Sequence, residues 1–161
     1  MLQVLFRDGG ELVGGAGTTY AAPAITGNDG SANITAVGPG ESLDFYWQAN
    51  GTTAWHPEVI GISAVDAAPS ITTMNHGSGD GVCVVSPDLV DYCAVNGTAN
   101  WQSSVPCLPT CQFFSGSPPV ITEHNGSDNI AIFTASGGYL FFYWSDSSGT
   151  FHKEIVASGV T

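Results

Sequence analysis

A five-residue aromatic phrase returns through this chain and limits what it can fold into. Leu43-Asp44-Phe45-Tyr46-Trp47 is answered by Leu140-Phe141-Phe142-Tyr143-Trp144. Looser copies stand at Leu89-Val90-Asp91-Tyr92-Cys93 and Leu2-Gln3-Val4-Leu5-Phe6. Upstream sits an anchor, Pro23-Ala24-Ile25-Thr26, repeated as Pro69-Ser70-Ile71-Thr72 and Pro119-Val120-Ile121-Thr122. Pro23 and Pro69 are 46 residues apart, and Pro69 and Pro119 are 50 apart. Repeats of this length belong to propeller blades or to helical solenoids. Solenoids need amphipathic helices, and no ten-residue window here keeps a 3.6-residue apolar period.

The unit reads as four short strands. After the anchor comes an apolar stretch: Asn33-Ile34-Thr35-Ala36-Val37, Val82-Cys83-Val84-Val85 or Ile130-Ala131-Ile132-Phe133. Short, continuous, β-branched runs of this kind are what strands buried on both faces look like. A turn follows, then the aromatic phrase as the second arm of a hairpin. The last strand opens on an aromatic: Trp55-His56-Pro57-Glu58-Val59-Ile60, Phe151-His152-Lys153-Glu154-Ile155-Val156, and weakly Trp101-Gln102-Ser103-Ser104-Val105. Most of the 21 glycines and nine prolines fall in the turns between these runs, and a hydrophobic content of 43% supplies a core. The expected fold is therefore all-β, about three and a half four-stranded antiparallel propeller blades in one repeat array. Residues 1–22 form a partial blade, 23–68 a blade, 69–118 a blade with a Cys-rich insertion, and 119–161 a blade. A closed propeller needs four to eight blades. A second copy would bring the number to seven, and unpaired β edges invite such pairing, so a homo-oligomer is expected.

Charge removes whole classes of partner. Two basic residues, Arg7 and Lys153, face fourteen acidic ones, for a net charge of −12. Such a chain cannot neutralise a phosphate backbone, so nucleic acid is excluded as a partner. Anionic membrane surfaces are disfavoured in the same way, and no run of eighteen apolar residues is present for membrane insertion.

Four cysteines lie between Cys83 and Cys111, all in the middle unit. Cys93 takes the place of Trp47 and Trp144, and Cys83 that of Thr35 and Ala131. A Cys83–Cys93 disulfide across the hairpin is geometrically sound. Cys107 and Cys111 would close the insertion as a second one. A four-cysteine zinc site and free buried thiols are the competing readings. Two disulfides, together with sequons at Asn33, Asn50, Asn96 and Asn125, point to an extracellular, secreted protein.

The candidate chemistry is aromatic. Trp47, Trp144 and Trp55, with Tyr46 and Tyr143, offer flat apolar rings with polar edges, which suit the faces of sugars. The same rings could simply pack one blade against the next. His56 and His152 each precede a glutamate by two residues, Glu58 and Glu154. On a strand, residues at that spacing point to one side and could polarise a ligand hydroxyl. Turns at Asn28-Asp29-Gly30-Ser31, Gly79-Asp80-Gly81 and Asn125-Gly126-Ser127-Asp128 carry oxygen ligands that can hold calcium, though the EF-hand spacing is absent. No Gly-x-Ser-x-Gly elbow, His-Glu-x-x-His or phosphate loop occurs, and no carboxylate pair stands out for glycoside cleavage. The chain is expected not to be an enzyme.

The phrase Leu43-Asp44-Phe45-Tyr46-Trp47-Gln48, with Trp55-x-Pro57-Glu58-Val59 and Gly15-Ala16-Gly17-Thr18-Thr19 before Pro23, resembles tandem repeats of secreted bacterial proteins of actinobacterial type. More broadly it is similar to propeller lectin repeats. Asp146-Ser147-Ser148-Gly149-Thr150-Phe151 loosely resembles the Asp-box turn of sialidase-type propellers, which is structural there. The resemblance implies a carbohydrate-binding protein with pockets between blades. The alternatives are a self-assembling subunit joined through its half-blade ends, and a module related to glycoside hydrolases.

Overall fold

The computed structural model describes residues 13, 19–28, 31–62, 67–76, 79–86, 90–95, 100–105, 118–124, 127–134, 138–146, 148 and 150–159. Cys107, Cys111 and nearly all of the opening half-unit lie outside the described residues.

Each full repeat folds as one four-stranded antiparallel sheet, with strands in chain order. The first sheet holds β1 (Ala24–Asn28), β2 (Ser31–Val37), β3 (Ser42–Gln48) and β4 (Trp55–Ile62). The second holds β5 (Ser70–His76), β6 (Gly79–Val85), β7 (Asp91–Val95) and β8 (Gln102–Ser104). The third holds β9 (Val120–His124), β10 (Ser127–Thr134), β11 (Tyr139–Ser145) and β12 (Phe151–Ala157). The anchors become the first strands and the aromatic phrase becomes the third. Asn28 pairs with Ser31, His76 with Gly79 and His124 with Ser127, so only two residues close each of these hairpins. The closing residues 29–30, 77–78 and 125–126, which include parts of the segments considered for calcium, lie outside the described residues.

The sheets stack face to face in chain order, and their first strands meet: β1 lies against β5, and β5 against β9. Ser70 Oγ accepts a bond of 3.1 Å from the Ile121 backbone N–H across the second of these junctions. Strand alternation then sorts every side chain into one of two faces. The face toward the preceding sheet carries the row Ile71, Val84, Tyr92 in the second sheet and Ile121, Ile130, Tyr143 in the third. The face toward the following sheet carries Leu43, Phe45 and Trp47 in the first sheet and Cys83, Val85 and Cys93 in the second.

Two cores result. Val37, Leu43 and Phe45 pack on Ile71, Val82 and Val84 between the first and second sheets, with Trp47, Tyr92 and Trp101 around them. Cys83 and Val85 pack on Ile121, Ile130 and Tyr143 between the second and third, with Cys93, Phe141 and Phe151. The lone described lysine, Lys153, places its Nζ 5.2 Å from the centre of the Phe141 ring. Burial on both faces of the middle sheet is why Val82-Cys83-Val84-Val85 of β6 is continuously apolar.

Cys83 and Cys93 form a disulfide across β6 and β7, directly opposite each other with Cα atoms 4.2 Å apart. Register corrects one alignment made from sequence. The residues equivalent to Cys83 are Asn33, opposite Trp47, and Asn129, opposite Trp144, instead of Thr35 and Ala131. The apolar runs had been matched end to end, whereas cross-strand pairing shifts the match by two. Asn33 is also buried, so its sequon is closed to a glycan in the folded chain.

Close approach of sheets one and two depends on a missing side chain. A Cβ at Gly61 would stand 2.5 Å from both Cζ and the hydroxyl oxygen of Tyr92. Gly61→Ala is expected to destabilise the fold by about 1–3 kcal/mol through overpacking. Urea unfolding of the variant checks this, and a loss under 0.5 kcal/mol would show that the ring is free to move.

Candidate functional site

The chemistry gathers on the face of the first sheet that meets the second. Trp47 on β3 lies opposite His56 on β4, and Phe45 lies opposite Glu58. The Trp47 and His56 rings stack with centres 4.2 Å apart and planes inclined by 20°. Trp47 Nε1 donates to Glu58 Oε1 at 2.9 Å. From the second sheet, Trp101 Nε1 donates to Glu58 Oε2 at 3.1 Å. The Trp101 ring also meets Phe45 edge to face, with centres 4.9 Å apart. One carboxylate thus holds two indoles from two different sheets. Both rings are half-buried, and His56 is exposed at the rim.

The third sheet repeats the first half of this arrangement. Trp144 and His152 stack with centres 4.2 Å apart and planes inclined by 21°. Glu154 lies opposite Phe142, as Glu58 lies opposite Phe45. Here the rings are open: Trp144 is 36% exposed, and no described residue plays the part of Trp101. His152 is held from the other side by Asp146, with Nε2 2.9 Å from Oδ2. Asp146 also organises the turn between β11 and β12. Its Oδ1 accepts from the Ser148 hydroxyl at 2.6 Å, the Ser148 N–H at 2.9 Å and the Thr150 N–H at 3.1 Å. The hydroxyl bond first, then the His152 ring and the two backbone N–H groups, hold this carboxyl far below the ordinary carboxylate range. The Asp-box-like segment is therefore a built turn.

The residues expected to form one ligand surface divide between faces. Trp47, His56 and Glu58 share a face; Trp144, His152 and Glu154 share its counterpart in the third sheet. Tyr46 and Trp55 lie on the opposite face of the first sheet. Tyr143 is buried in the second core, where burial pushes its phenol pKa up, and it offers no surface to a ligand. Trp101 was absent from the expected set. Its alignment with Trp55 and Phe151 was readable, but its reach across to Glu58 depends on sheet stacking.

The interface between the second and third sheets has lost the arrangement on both sides. Phe45 and Trp47 are replaced by Asp91 and Cys93, and Ser104 holds the position of Glu58. Across the second interface, Phe151 holds the position of Trp101. Acceptor and donor are missing together. Cys83, Asp91 and Cys93 lie close enough to share a cation, but the disulfide consumes both thiolates.

Two expectations follow. Glu58→Gln places an amide against two indole donors and should cost about 1–3 kcal/mol in urea unfolding. Glu154→Gln, at an exposed position, should stay within about 0.5 kcal/mol in dilute solution. For Asp146, a depressed carboxyl pKa means that the turn's contribution is complete above the unfolded carboxylate pKa and fades only as pH falls toward the folded value. An NMR titration should show the Asp146 carboxyl protonating well below the ordinary carboxylate range, and Asp146→Ala should speed exchange of the Ser148 and Thr150 amides.

No known family matches the chain, and no curated protein resembles it in sequence. Among solved structures it is similar to a fucose lectin from Kordia zhangzhouensis, determined in complex with methyl-fucoside. The likeness has a TM-score of 0.56 at 10% sequence identity and covers 85% of this chain and 99% of that one. The chain shares the all-β fold of that lectin.

Proposed function

We propose that this protein is a non-catalytic, extracellular, carbohydrate-binding protein whose three sheets are propeller blades. The observation that carries the reading is the Glu58 carboxylate clasped by Trp47 and Trp101 between adjacent sheets. Each carboxylate oxygen retains a further acceptor site, which suits ligand hydroxyls. The neighbouring rings present apolar faces for the C–H side of a sugar. A chain with two basic residues favours a neutral sugar over an anionic one. Support for the class comes from the fold shared with a fucose lectin. The Cys83–Cys93 disulfide suits an oxidising compartment. Glu58 is already engaged by two donors, an arrangement for holding a ligand instead of shuttling a proton.

The test is an NMR titration with methyl-fucoside and a panel of neutral monosaccharides. Binding in the micromolar to millimolar range, about −8 to −4 kcal/mol, is expected. The indole N–H resonances of Trp47 and Trp101 should shift. Trp101→Phe keeps the ring but deletes the donor, and should weaken binding while the chain stays folded. Silence of both indoles to every neutral sugar, joined to a blank glycan array, would sink the lectin reading.

A further inference from the structure

Three neighbouring positions of the middle sheet differ together from their counterparts. Cys83, Asp91 and Cys93 stand where the first sheet has Asn33, Phe45 and Trp47, and where the third has Asn129, Phe142 and Trp144. All three lie on the face toward the third sheet. A disulfide needs only the two cysteines and does not call for the acid. Yet Asp91 is 3% exposed, beside a fully buried Cys83. Both Asp91 carboxylate oxygens lie 3.5 Å from Cys93 Sγ. The two sulfurs and a carboxylate oxygen fall within 4.8 Å of one another. Two sulfurs and an oxygen converging from one face of a hairpin are donors for a thiophilic metal ion, not for calcium or magnesium.

We propose that Cys83, Cys93 and Asp91 bind one thiophilic divalent ion of the zinc class when the disulfide is reduced, so that metal and disulfide are alternative clasps of the same hairpin. The backbone keeps the donors together without the sulfur–sulfur bond. Strands β6 and β7 pair over five positions, with Cys83 directly opposite Cys93. Val82 and Val84 pack in one core and Val85 in the other, which fixes the strand from both sides. Asp91 precedes Cys93 by two residues and so shares its side of the strand. A buried carboxylate is costly unless it is paired, and a divalent cation compensates it. Three protein donors leave the fourth position of a tetrahedral ion to water or an added ligand.

Loading the ion consumes two molecules of a small thiol. The Cys83–Cys93 bond takes up two electrons and breaks, while the small thiol is oxidised to its own disulfide. The ion then displaces two protons from the cysteines. In reverse, a small disulfide takes the two electrons, the Cys83–Cys93 bond forms again, two protons pass to the departing small thiols, and the ion is released. Cys93 is half-buried, so a small thiol meets its sulfur before that of Cys83. Oxidation thus expels the metal and reduction readmits it. The site lies between the second and third sheets, across the middle sheet from Glu58, and does not depend on whether the chain binds a sugar.

The experiment titrates the full chain with cadmium, a spectroscopic stand-in for zinc, after reduction by a phosphine that is then removed without air. One ion per chain is expected, reported by the ultraviolet cadmium–thiolate absorption, and excess calcium should not displace it. The oxidised chain should show no such band. Near-ultraviolet dichroism of the cadmium-loaded chain should match that of the oxidised chain, which separates a folded site from capture by loose thiols. Cys107→Ser with Cys111→Ser should leave the affinity unchanged, and Cys83→Ser in that background should abolish the band. Asp91→Asn should weaken binding about tenfold or more. X-ray absorption of the zinc-loaded wild type should count two sulfur neighbours and otherwise light atoms, and this count decides if Asp91→Asn fails to fold. No band in the reduced wild type, four sulfur neighbours, loss of binding with Cys107→Ser and Cys111→Ser, or full affinity in a folded Asp91→Asn chain overturns the proposal.

Discussion

Val82 and Val84 point one way from strand β6, and Cys83 and Val85 point the other. All four are almost fully buried. The middle sheet thus has no solvent face, and both cores are built on it. Complete burial of a valine is worth about 1.5–3 kcal/mol, so one strand anchors both neighbours. Period-2 alternation does the rest. With β6 fixed between two sheets, each residue of the first and third sheets is assigned to the inside or the outside of the stack, and a one-residue slip would reverse the assignment. The disulfide sits within this constraint. Cys93 replaces a tryptophan, and the smaller side chain is compensated by rings arriving from the next sheet: Phe141, Tyr143 and Phe151.

The two interfaces solve the same packing problem with different chemistry. Between the first and second sheets, large rings come from both sides and bring indole N–H groups that need acceptors. Glu58 meets that need and makes the interface polar at its rim. Between the second and third sheets, Phe151 brings no indole donor, and the acid buried there is Asp91, at the place Phe45 holds in the first sheet.

Much of the fold was legible because it rests on local signals. The Pro-x-Ile-Thr anchors, the two-residue closures and the continuous apolar run of β6 each specify an element without reference to distant parts of the chain. The Cys83–Cys93 pairing was readable for the same reason, as it joins the arms of one hairpin. The site was only partly legible. Spacing showed that His56 and Glu58 share a side, and register confirms it, since they oppose Trp47 and Phe45. Spacing could not show that Trp55 and Tyr46 face away, because that depends on which strand pairs with which. Nor could it show that Trp101 reaches Glu58 from 43 residues away, a contact created by stacking alone. Tyr143 makes the point most sharply. Its phrase matches that of Tyr46 at four of five residues, yet Tyr143 is buried against the second sheet while Tyr46 is only half-buried.

A repeat protein distributes its chemistry according to interfaces, not units. Three full sheets make two internal interfaces, and only one of these retains the carboxylate and the second indole. The aromatic phrase therefore overstates the number of equivalent sites in a single chain.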